Sequence, residues 1–322
     1  MSHEPTVSNL LATNTYSNHR LPLIKYIQGM LGAKLIVYIA SPYHPIPIMM
    51  QQDIPLFEDL LRSVDSEDGV LMINSPGGSG EAAEKILLMC RKRFNKSFRV
   101  IVPDFAKSAA TMIALGSDKI MMGYLSELGP IDPQFMTGPI GPGIPARSLI
   151  DGLEIIREKV KAGDPIQLYY PMLSQIRPEL IARAQSAIDE SKEFAEKWLK
   201  QYQLKNNPRH AEIVAKWLSI SDTEKKYKSH GKVLNFDECS NELKLNVECL
   251  NPDSELWNRV WELYSRSIFF LQQQPMSAKL FENDKVSLTM NIAIQQAIQQ
   301  TQQMEPPKTP QPPQQLDKVT PA

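Results

Sequence analysis

Short β-rich runs alternate with helix-forming segments over residues 34–122, and this order limits the folds open to the chain. The β-rich runs are KLIVYIA (34–40), GVLMIN (69–74), FRVIVP (98–103) and KIMM (119–122). The spacing of apolar residues between them predicts helices near 54–64, over 80–93 and over 107–116. Strands that alternate with helices form a mostly parallel sheet covered by helices. The sequence therefore predicts an α/β fold.

The remainder of the chain is less regular. Residues 123–145 are dense in Gly and Pro, which predicts a long irregular loop of the kind that is more often functional than idle. Residues 148–163 and 176–204 have helical spacing. An aromatic helix is predicted over 253–271, with an apolar stripe that suits the core or a contact with another subunit. From about 291 the chain is rich in Gln and Pro, and we expect a disordered tail.

Composition excludes several classes of protein. With 322 residues, of which 42% are hydrophobic, the chain can bury a full-sized core. Its 35 basic and 36 acidic side chains give no basic footprint for nucleic acid. Three scattered cysteines form neither a disulfide framework nor a zinc site, and we expect three packed thiols in a reducing compartment. The sequence implies no metal and no cofactor.

The most apolar early segment, residues 21–50, is interrupted by Lys25, Gln28, Lys34 and several prolines. It therefore contains no run of about 18 apolar residues, as a transmembrane helix requires. The N-terminus lacks the basic and apolar regions of a secretory signal. We expect a cytoplasmic protein without a transmembrane segment, and a peripheral membrane contact stays open.

The strand at 69–74 runs into Ser-Pro-Gly-Gly, and a helix follows. At Gly77 and Gly78 several backbone N–H groups can point at one spot without a Cβ in the way, and such a spot binds an anion. The spacing matches neither a phosphate loop nor a dinucleotide fingerprint. A turn that simply needs positive φ explains the two glycines equally well.

A second strand-to-helix turn follows about thirty residues later, where Ser108 precedes Ala109 and Ala110. Small residues after the serine let another surface approach closely. A serine that caps the helix is the ordinary alternative. Two such turns, one offering N–H donors and the other a hydroxyl, supply the oxyanion hole and the nucleophile that acyl transfer requires.

The motifs SPGGSGEAAEKI, VIVPDFAKSAATMIALGSDKIMMG and SELGPIDPQF resemble the serine dehydrogenase proteinases, a family in the Clp-type peptidase and crotonase superfold that is related to the signal-peptide peptidases. The resemblance is strong over about 66–135, fair over 30–65 and around 229–247, and poor elsewhere. It implies a Clp/crotonase-like core of repeated β-β-α units in a spiral, with added helices. It also implies that Ser108 is the nucleophile and that N–H groups of Gly77 or Gly78 and of Ala109 hold the oxyanion.

The general base departs from the family pattern. Where Clp-type peptidases have His-Gln-Pro, this chain has Asp132 followed by Pro133 and Gln134. The segment KVLNFDEC is similar to the one that follows the triad acid in those peptidases, and here His230 precedes it. We therefore expect a Ser108–His230–Asp132 arrangement in which base and acid have exchanged strands, because a triad is defined by geometry and not by chain order.

Other roles for these residues stay open. A Ser-Lys dyad, as in signal-peptide peptidases, would use Lys161 or its neighbour Lys159, and such a lysine works only if desolvation lowers its pKa. Lys107 is expected to point away from the serine. Asp132 as a turn residue, His230 as a loop histidine and Lys161 at a solvated helix end are the ordinary interpretations.

The function that follows is a serine peptidase that cleaves peptides or proteins through an acyl-enzyme on Ser108. The alternatives are a catalytically weak or inactive adaptor of the same fold and a crotonase-like acyl-CoA enzyme. Because relatives in this superfold assemble into rings or stacked trimers, we expect a homo-oligomer.

The expected domain organisation has four parts. Residues 1–29 form an N-terminal extension, and residues 30–250 form the peptidase domain with a helical insertion at about 148–228. Residues 251–290 hold the aromatic helix, which could serve as an oligomer contact. Residues 291–322 form the Gln/Pro-rich tail.

Overall fold

The computed structural model describes residues 17–136, 143–221 and 226–292. Its strands are β1 Lys34–Ala40, β2 Asp68–Asn74, β3 Ser97–Val102, β4 Phe105–Ala106, β5 Lys119–Met122, β6 Glu127–Leu128, β7 Gln134–Met136, β8 Gly143–Pro145, β9 Val247–Cys249, β10 Ser277–Glu282 and β11 Ser287–Asn291. Its α-helices are α1 Ser17–Leu31, α2 Asp53–Arg62, α3 Gly80–Arg93, α4 Ala109–Leu115, α5 Ala146–Lys161, α6 Tyr170–Leu173, α7 Pro178–Gln201, α8 Pro208–Leu218 and α9 Glu255–Gln272. A 3-10 turn at Ile166–Tyr169 and a π-helical turn at Glu238–Glu242 lie between them.

Seven strands form one sheet in the order β11, β10, β1, β2, β3, β5, β9. The five strands from β1 to β9 in this order run parallel. Strand β10 is antiparallel to β1, and β11 is antiparallel to β10. Parallel neighbours need long crossovers, which the helices between the strands supply. The predicted α/β fold with a mostly parallel sheet is confirmed.

Helices cover both faces of this sheet. Leu35, Val37 and Ile39 of β1 belong to one core cluster, together with residues of α1 and α9. Ile36 and Tyr38 belong to the other, together with residues of α2, α3, α4, α7 and α8. Because successive side chains of a strand point to opposite faces, the alternation divides β1 between two apolar layers.

The elements predicted within residues 34–122 are confirmed. The strands at 34–40 and 119–122 and the helix at 80–93 have the predicted bounds, and the others differ by at most two residues at either end. This agreement places the two strand-to-helix turns at the carboxyl ends of strands, where α/β folds build their sites.

The prediction of an irregular loop over 123–145 is wrong in part, because β6, β7 and β8 lie within it and residues 137–142 lie outside the described residues. Strands of two or three residues are too short to show an alternating pattern. Helix α8 and strands β10 and β11 were not predicted either. The expectation of three packed thiols is wrong for one cysteine, since Cys90 and Cys239 are buried but Cys249 is exposed.

Both ends of the described chain pack into the core. Ile24 and Ile27 of α1 are fully buried. Helix α9 buries Val260, Leu263 and Leu271 against the same cluster, so its apolar stripe faces the core of its own chain. The tail predicted from 291 overlaps β11, which ends at Asn291, and from 293 onward it lies outside the described residues. Within the described part of the chain, no helix combines the length and the apolar character needed to cross a membrane.

Candidate active site

The turn after β2 requires glycine at two successive positions. Gly77 has φ of +99° and Gly78 has φ of +144°, both in the region that residues with a Cβ rarely adopt. A Cβ on Gly77 would lie 2.6 Å from the carbonyl oxygen of Lys107, and one on Gly78 would lie 2.2 Å from that of Met49. Conformation and close packing therefore both exclude other residues here.

Hydrogen bonds hold the glycine turn on two sides. Met49 donates its N–H to the carbonyl of Gly77 at 2.7 Å and accepts from the N–H of Ser79 at 2.9 Å. The Gly77 N–H donates to Ser75 Oγ at 3.1 Å. Among the described residues nothing accepts the Gly78 N–H. The sequence left Gly77 and Gly78 as equal candidates for the oxyanion donor, and this geometry favours Gly78.

Ser108 has a strained backbone, with φ of +50° and ψ of −119°. A non-glycine residue in such a conformation costs roughly 1–3 kcal/mol and occurs most often at functional sites. Its side chain does not cap α4, so the structure does not support the ordinary role of a capping serine. A strained serine on a turn between a strand and a helix is the setting in which α/β-hydrolases carry their nucleophile.

The two turns are fastened to each other by β4. Ser75 donates its N–H to the carbonyl of Phe105 at 3.1 Å, and Lys107 donates its N–H to the carbonyl of Ser75 at 3.0 Å. The Ala109 N–H, like that of Gly78, has no acceptor among the described residues. The N–H groups of Gly78 and Ala109 and the hydroxyl of Ser108 are therefore available within the two joined turns.

His230 and Asp132, which are 98 residues apart in the chain, are hydrogen-bonded in the structure. The distance from His230 Nδ1 to Asp132 Oδ1 is 2.8 Å, and the Asp132 side chain is 1% exposed while that of His230 is 29% exposed. A carboxylate only accepts hydrogen bonds, so Nδ1 carries the proton. Nε2 is then the ring nitrogen that can accept a proton.

Backbone contacts around this pair fix both segments. Residues Leu128 and Leu234 form an antiparallel bridge with hydrogen bonds in both directions, and it holds the loop of His230 against β6. The segment of Asp132 is held by Ile131, whose carbonyl accepts from Ser191 Oγ at 2.7 Å. Ser191 belongs to α7, so this helix supports the position of the carboxylate.

Gln134 is a second partner of Asp132 that the sequence analysis did not assign. Its Nε2 donates to Asp132 Oδ2 at 2.8 Å, so each carboxylate oxygen accepts a hydrogen bond from a side chain. The motif Asp-Pro-Gln could have indicated this contact, because the side chains of residues i and i+2 in an extended segment lie on the same side of the chain. Ser75 and Met49 were also missed, and Met49 acts only through its backbone, which its residue type does not reveal.

A surface cavity connects the histidine with both turns. It is lined by Pro76, Phe105, Lys107, Glu127, His230 and Gly231. Pro76 and Lys107 directly precede Gly77 and Ser108, so His230 lies across one cavity from the glycine turn and the serine turn. The Ser108 hydroxyl has no hydrogen-bond partner among the described residues. Catalytic hydrogen bonds are often formed only when substrate is bound.

The lysines considered as alternative bases lack the buried partner that His230 has. The Lys161 side chain is 61% exposed at the end of α5 and donates to Glu158 at 3.0 Å, and Lys159 is also exposed. Neither has the burial that a lysine base requires. The ammonium of Lys107 donates to the carbonyl of Leu128 at 3.1 Å and pairs with Glu127 at 2.8 Å. Lys107 is therefore held at β6.

Comparison with known proteins identifies relatives of this chain. Two uncharacterized proteins of Methanocaldococcus jannaschii match it, one at 34% identity over 149 residues and the other at 30% identity over 227 residues. The first match covers 44% of this chain and 49% of the relative, so it spans about half of that protein's length. The second match covers 69% of each protein.

Solved structures of proteases are similar to this chain at low identity. A membrane-bound stomatin-specific protease in complex with a substrate peptide aligns over 80% of this chain and 89% of its own, with 15% identity and a TM-score of 0.40. ClpP1 from Listeria monocytogenes aligns over 70% of this chain and 96% of its own, with 13% identity and a TM-score of 0.35.

The family model of the ClpP-like SDH-type serine proteinases matches residues 18–279. This match confirms the resemblance that the motifs indicated and the Clp-like class of the fold. Because the matched residues include most of the chain, this protein belongs to the ClpP-like SDH-type serine proteinase family.

Proposed function

We propose that this protein is a serine peptidase that cleaves peptide bonds through an acyl-enzyme on Ser108. The observation that carries the proposal is the hydrogen bond of His230 to the buried carboxylate of Asp132 beside the cavity that both turns share. Membership in a family of serine proteinases supports the same reaction class.

The first half of the reaction forms the acyl-enzyme. Ser108 Oγ attacks the carbonyl carbon of the peptide while its proton passes to His230 Nε2. The charge that develops on the carbonyl oxygen accepts hydrogen bonds from the N–H groups of Gly78 and Ala109. Such preorganised donors are each worth about 100- to 1000-fold in rate. His230 then gives its proton to the leaving amine, and the C–N bond breaks.

The second half releases the acyl group. Water attacks the ester carbonyl and gives a proton to His230, and collapse of the tetrahedral intermediate returns that proton to Ser108. Asp132 stabilises the imidazolium in both halves and keeps the proton of the neutral ring on Nδ1. Gln134 keeps the carboxylate from rotating, because it binds the oxygen that His230 does not use.

Peptides or proteins are the substrate class that this proposal implies. A homo-oligomeric state and a cytoplasmic location stay predictions. No contact of the described residues favours the adaptor or the acyl-CoA enzyme over the peptidase.

The test is covalent labelling by a fluorophosphonate probe, which reacts with activated serines. Wild type is expected to be labelled, and Ser108→Ala, at an unchanged melting temperature, is expected to remain unlabelled. Folded wild type that stays unlabelled across a broad pH range would contradict the proposal, and so would a Ser108→Ala variant that is labelled as fast as wild type.

A further inference from the structure

Strand β10 brings a lysine into the interior of the protein. Lys279 Nζ lies 2.6 Å from Asp53 Oδ1, and both side chains are 0% exposed. Because both groups lose water, burial raises the pKa of Asp53 and lowers the pKa of Lys279. A buried ion pair generally adds no stability over apolar residues of the same volume. Stability alone therefore does not explain why the pair is there.

The second oxygen of Asp53 binds the chain next to the glycine turn. Asp53 Oδ2 accepts the N–H of Met50 at 3.0 Å and the hydroxyl of Tyr38 at 3.1 Å. The carboxylate thus has three donors around it, and one of them is a backbone group just before α2. Lys279 neutralises the carboxylate, and the carboxylate holds the backbone at Met50.

Met49, the residue before, is the backbone partner of the glycine turn. It donates to the carbonyl of Gly77 and accepts from Ser79, as described above. The Gly78 Cα lies so close that an added Cβ would come within 2.5 Å of the Met49 nitrogen. A shift of residues 49–50 cannot be absorbed without a shift of Gly78, whose N–H is an oxyanion donor in the proposed reaction.

We propose that Asp53 is a positioning residue that holds the oxyanion turn in its reactive geometry through Met50 and Met49, and that Lys279 neutralises the buried charge of Asp53. This inference rests on the proposed function, since it assigns a role in the same active site. It also connects strand β10 with the active site, although Lys279 lies 171 residues after Ser108 in the sequence.

The same strand carries a matched control. Glu282 is 0% exposed and pairs with the equally buried Arg20 at 2.7 Å. Its carboxylate also accepts from Ser287 Oγ at 2.6 Å, so the described side-chain hydrogen bonds of Glu282 lead to α1 and β11. Each of the two pairs joins one cation to one anion, is fully buried and has one member on β10. They differ in whether their side chains reach residues 49–50.

The experiment compares two double variants that differ only at residue 53. Asp53→Asn/Lys279→Met is neutral and keeps an amide oxygen that can accept the Met50 N–H. Asp53→Leu/Lys279→Met is neutral and has no acceptor. Fluorophosphonate labelling at several probe concentrations gives the maximal rate kinact and the half-saturating concentration KI for each. We expect kinact of the Leu variant to fall about 100-fold, the loss typical of one oxyanion donor, with KI changed less than about threefold.

The double variant with Asn at position 53 is expected to retain most of the wild-type kinact. The control double variant Arg20→Met/Glu282→Gln is expected to change the melting temperature but not kinact. If the Leu variant does not fold, Asp53→Ala/Lys279→Met removes the same acceptor with less bulk. A folded variant without the acceptor that reacts at the wild-type rate would overturn the inference. Unfolding of both acceptor-free variants while the Asn variant folds would overturn it as well, because the role would then be structural. Failure of wild type to label would instead contradict the proposed function.

Discussion

The two candidate bases, His230 and Lys161, occupy opposite kinds of environment. His230 is tied to a carboxylate that is 1% exposed, and it lines the cavity shared by the two turns. Lys161 is paired with Glu158, and both of these side chains are more than half exposed. An exposed pair is solvated and screened, so it neither fixes a side chain nor alters its chemistry strongly. The two candidate bases therefore differ mainly in the burial of the carboxylate that each one contacts.

The largest expected effect comes from replacing the buried partner. Asp132→Asn places an amide beside His230 Nδ1, and its N–H can stabilise the ring with the proton on Nε2, where no proton can then be accepted. We expect fluorophosphonate labelling to slow by about 100- to 10,000-fold, the range of a general base. The matched change Glu158→Gln beside Lys161 is expected to leave the rate unchanged. Equal rates for the two variants would remove the distinction between the two environments.

A second contrast uses two glycines with similar backbone angles. Gly77 has φ of +99° at the site, and Gly163 has φ of +110° just after α5. Nothing lies within 4 Å of a Cβ on Gly163, whereas a Cβ on Gly77 would press on Lys107 and Ser108. Gly77→Ala should slow labelling about 100-fold, since the oxyanion donors move with the turn. Gly163→Ala should cost only backbone strain, about 1–2 kcal/mol, measured by denaturant unfolding, with no loss of labelling.

Gln134 provides a smaller and sharper test of the Asp132 environment. Gln134→Leu removes the donor to Asp132 Oδ2 and keeps a side chain of similar size. One buried acceptor then loses its partner, which costs about 1–3 kcal/mol. We expect a three- to tenfold slower labelling rate, about 0.7–1.4 kcal/mol of the barrier. Gln134→Glu should slow labelling more than Gln134→Leu does, because two carboxylates would then face each other. A Glu variant that labels faster than the Leu variant would contradict this account.

The smallest effect is expected at the exposed lysines. Lys161→Ala and Lys159→Ala remove charges that solvent already surrounds. Labelling rates and melting temperatures should stay within experimental error of wild type. A large loss of labelling in either variant, with the fold intact, would show that the environment in the isolated chain is not the one in which catalysis occurs.

The sequence was sufficient where structure is local. The strands at 34–40 and 119–122 can be recognised because parallel strands that are buried on both faces are continuously apolar. The helix over 80–93 can be recognised by the helical spacing of its apolar residues. The glycine and serine turns follow from motifs that have a steric reason. The pairing of His230 with Asp132 followed from the family resemblance, because no local pattern relates residues 98 positions apart.

Long-range contacts between charged residues could not be predicted. Strand β10 contains Lys279 and Glu282, charged residues that are rarely buried, yet each is neutralised by a partner more than 200 positions away. Hydrogen bonds of the backbone, such as those of Met49, leave no trace in residue type. These contacts arise only when the sheet is assembled, and the hydrogen bonds of Met49 hold the glycine turn.

The most direct test of the central claim measures His230→Ala and Lys161→Ala side by side, as rates of fluorophosphonate labelling at equal protein stability. If His230 is the base, its variant should label at least about 100-fold more slowly than wild type, while the Lys161 variant labels at the wild-type rate. The reverse order, with His230→Ala reacting normally and Lys161→Ala unreactive, would contradict the triad and establish a lysine base.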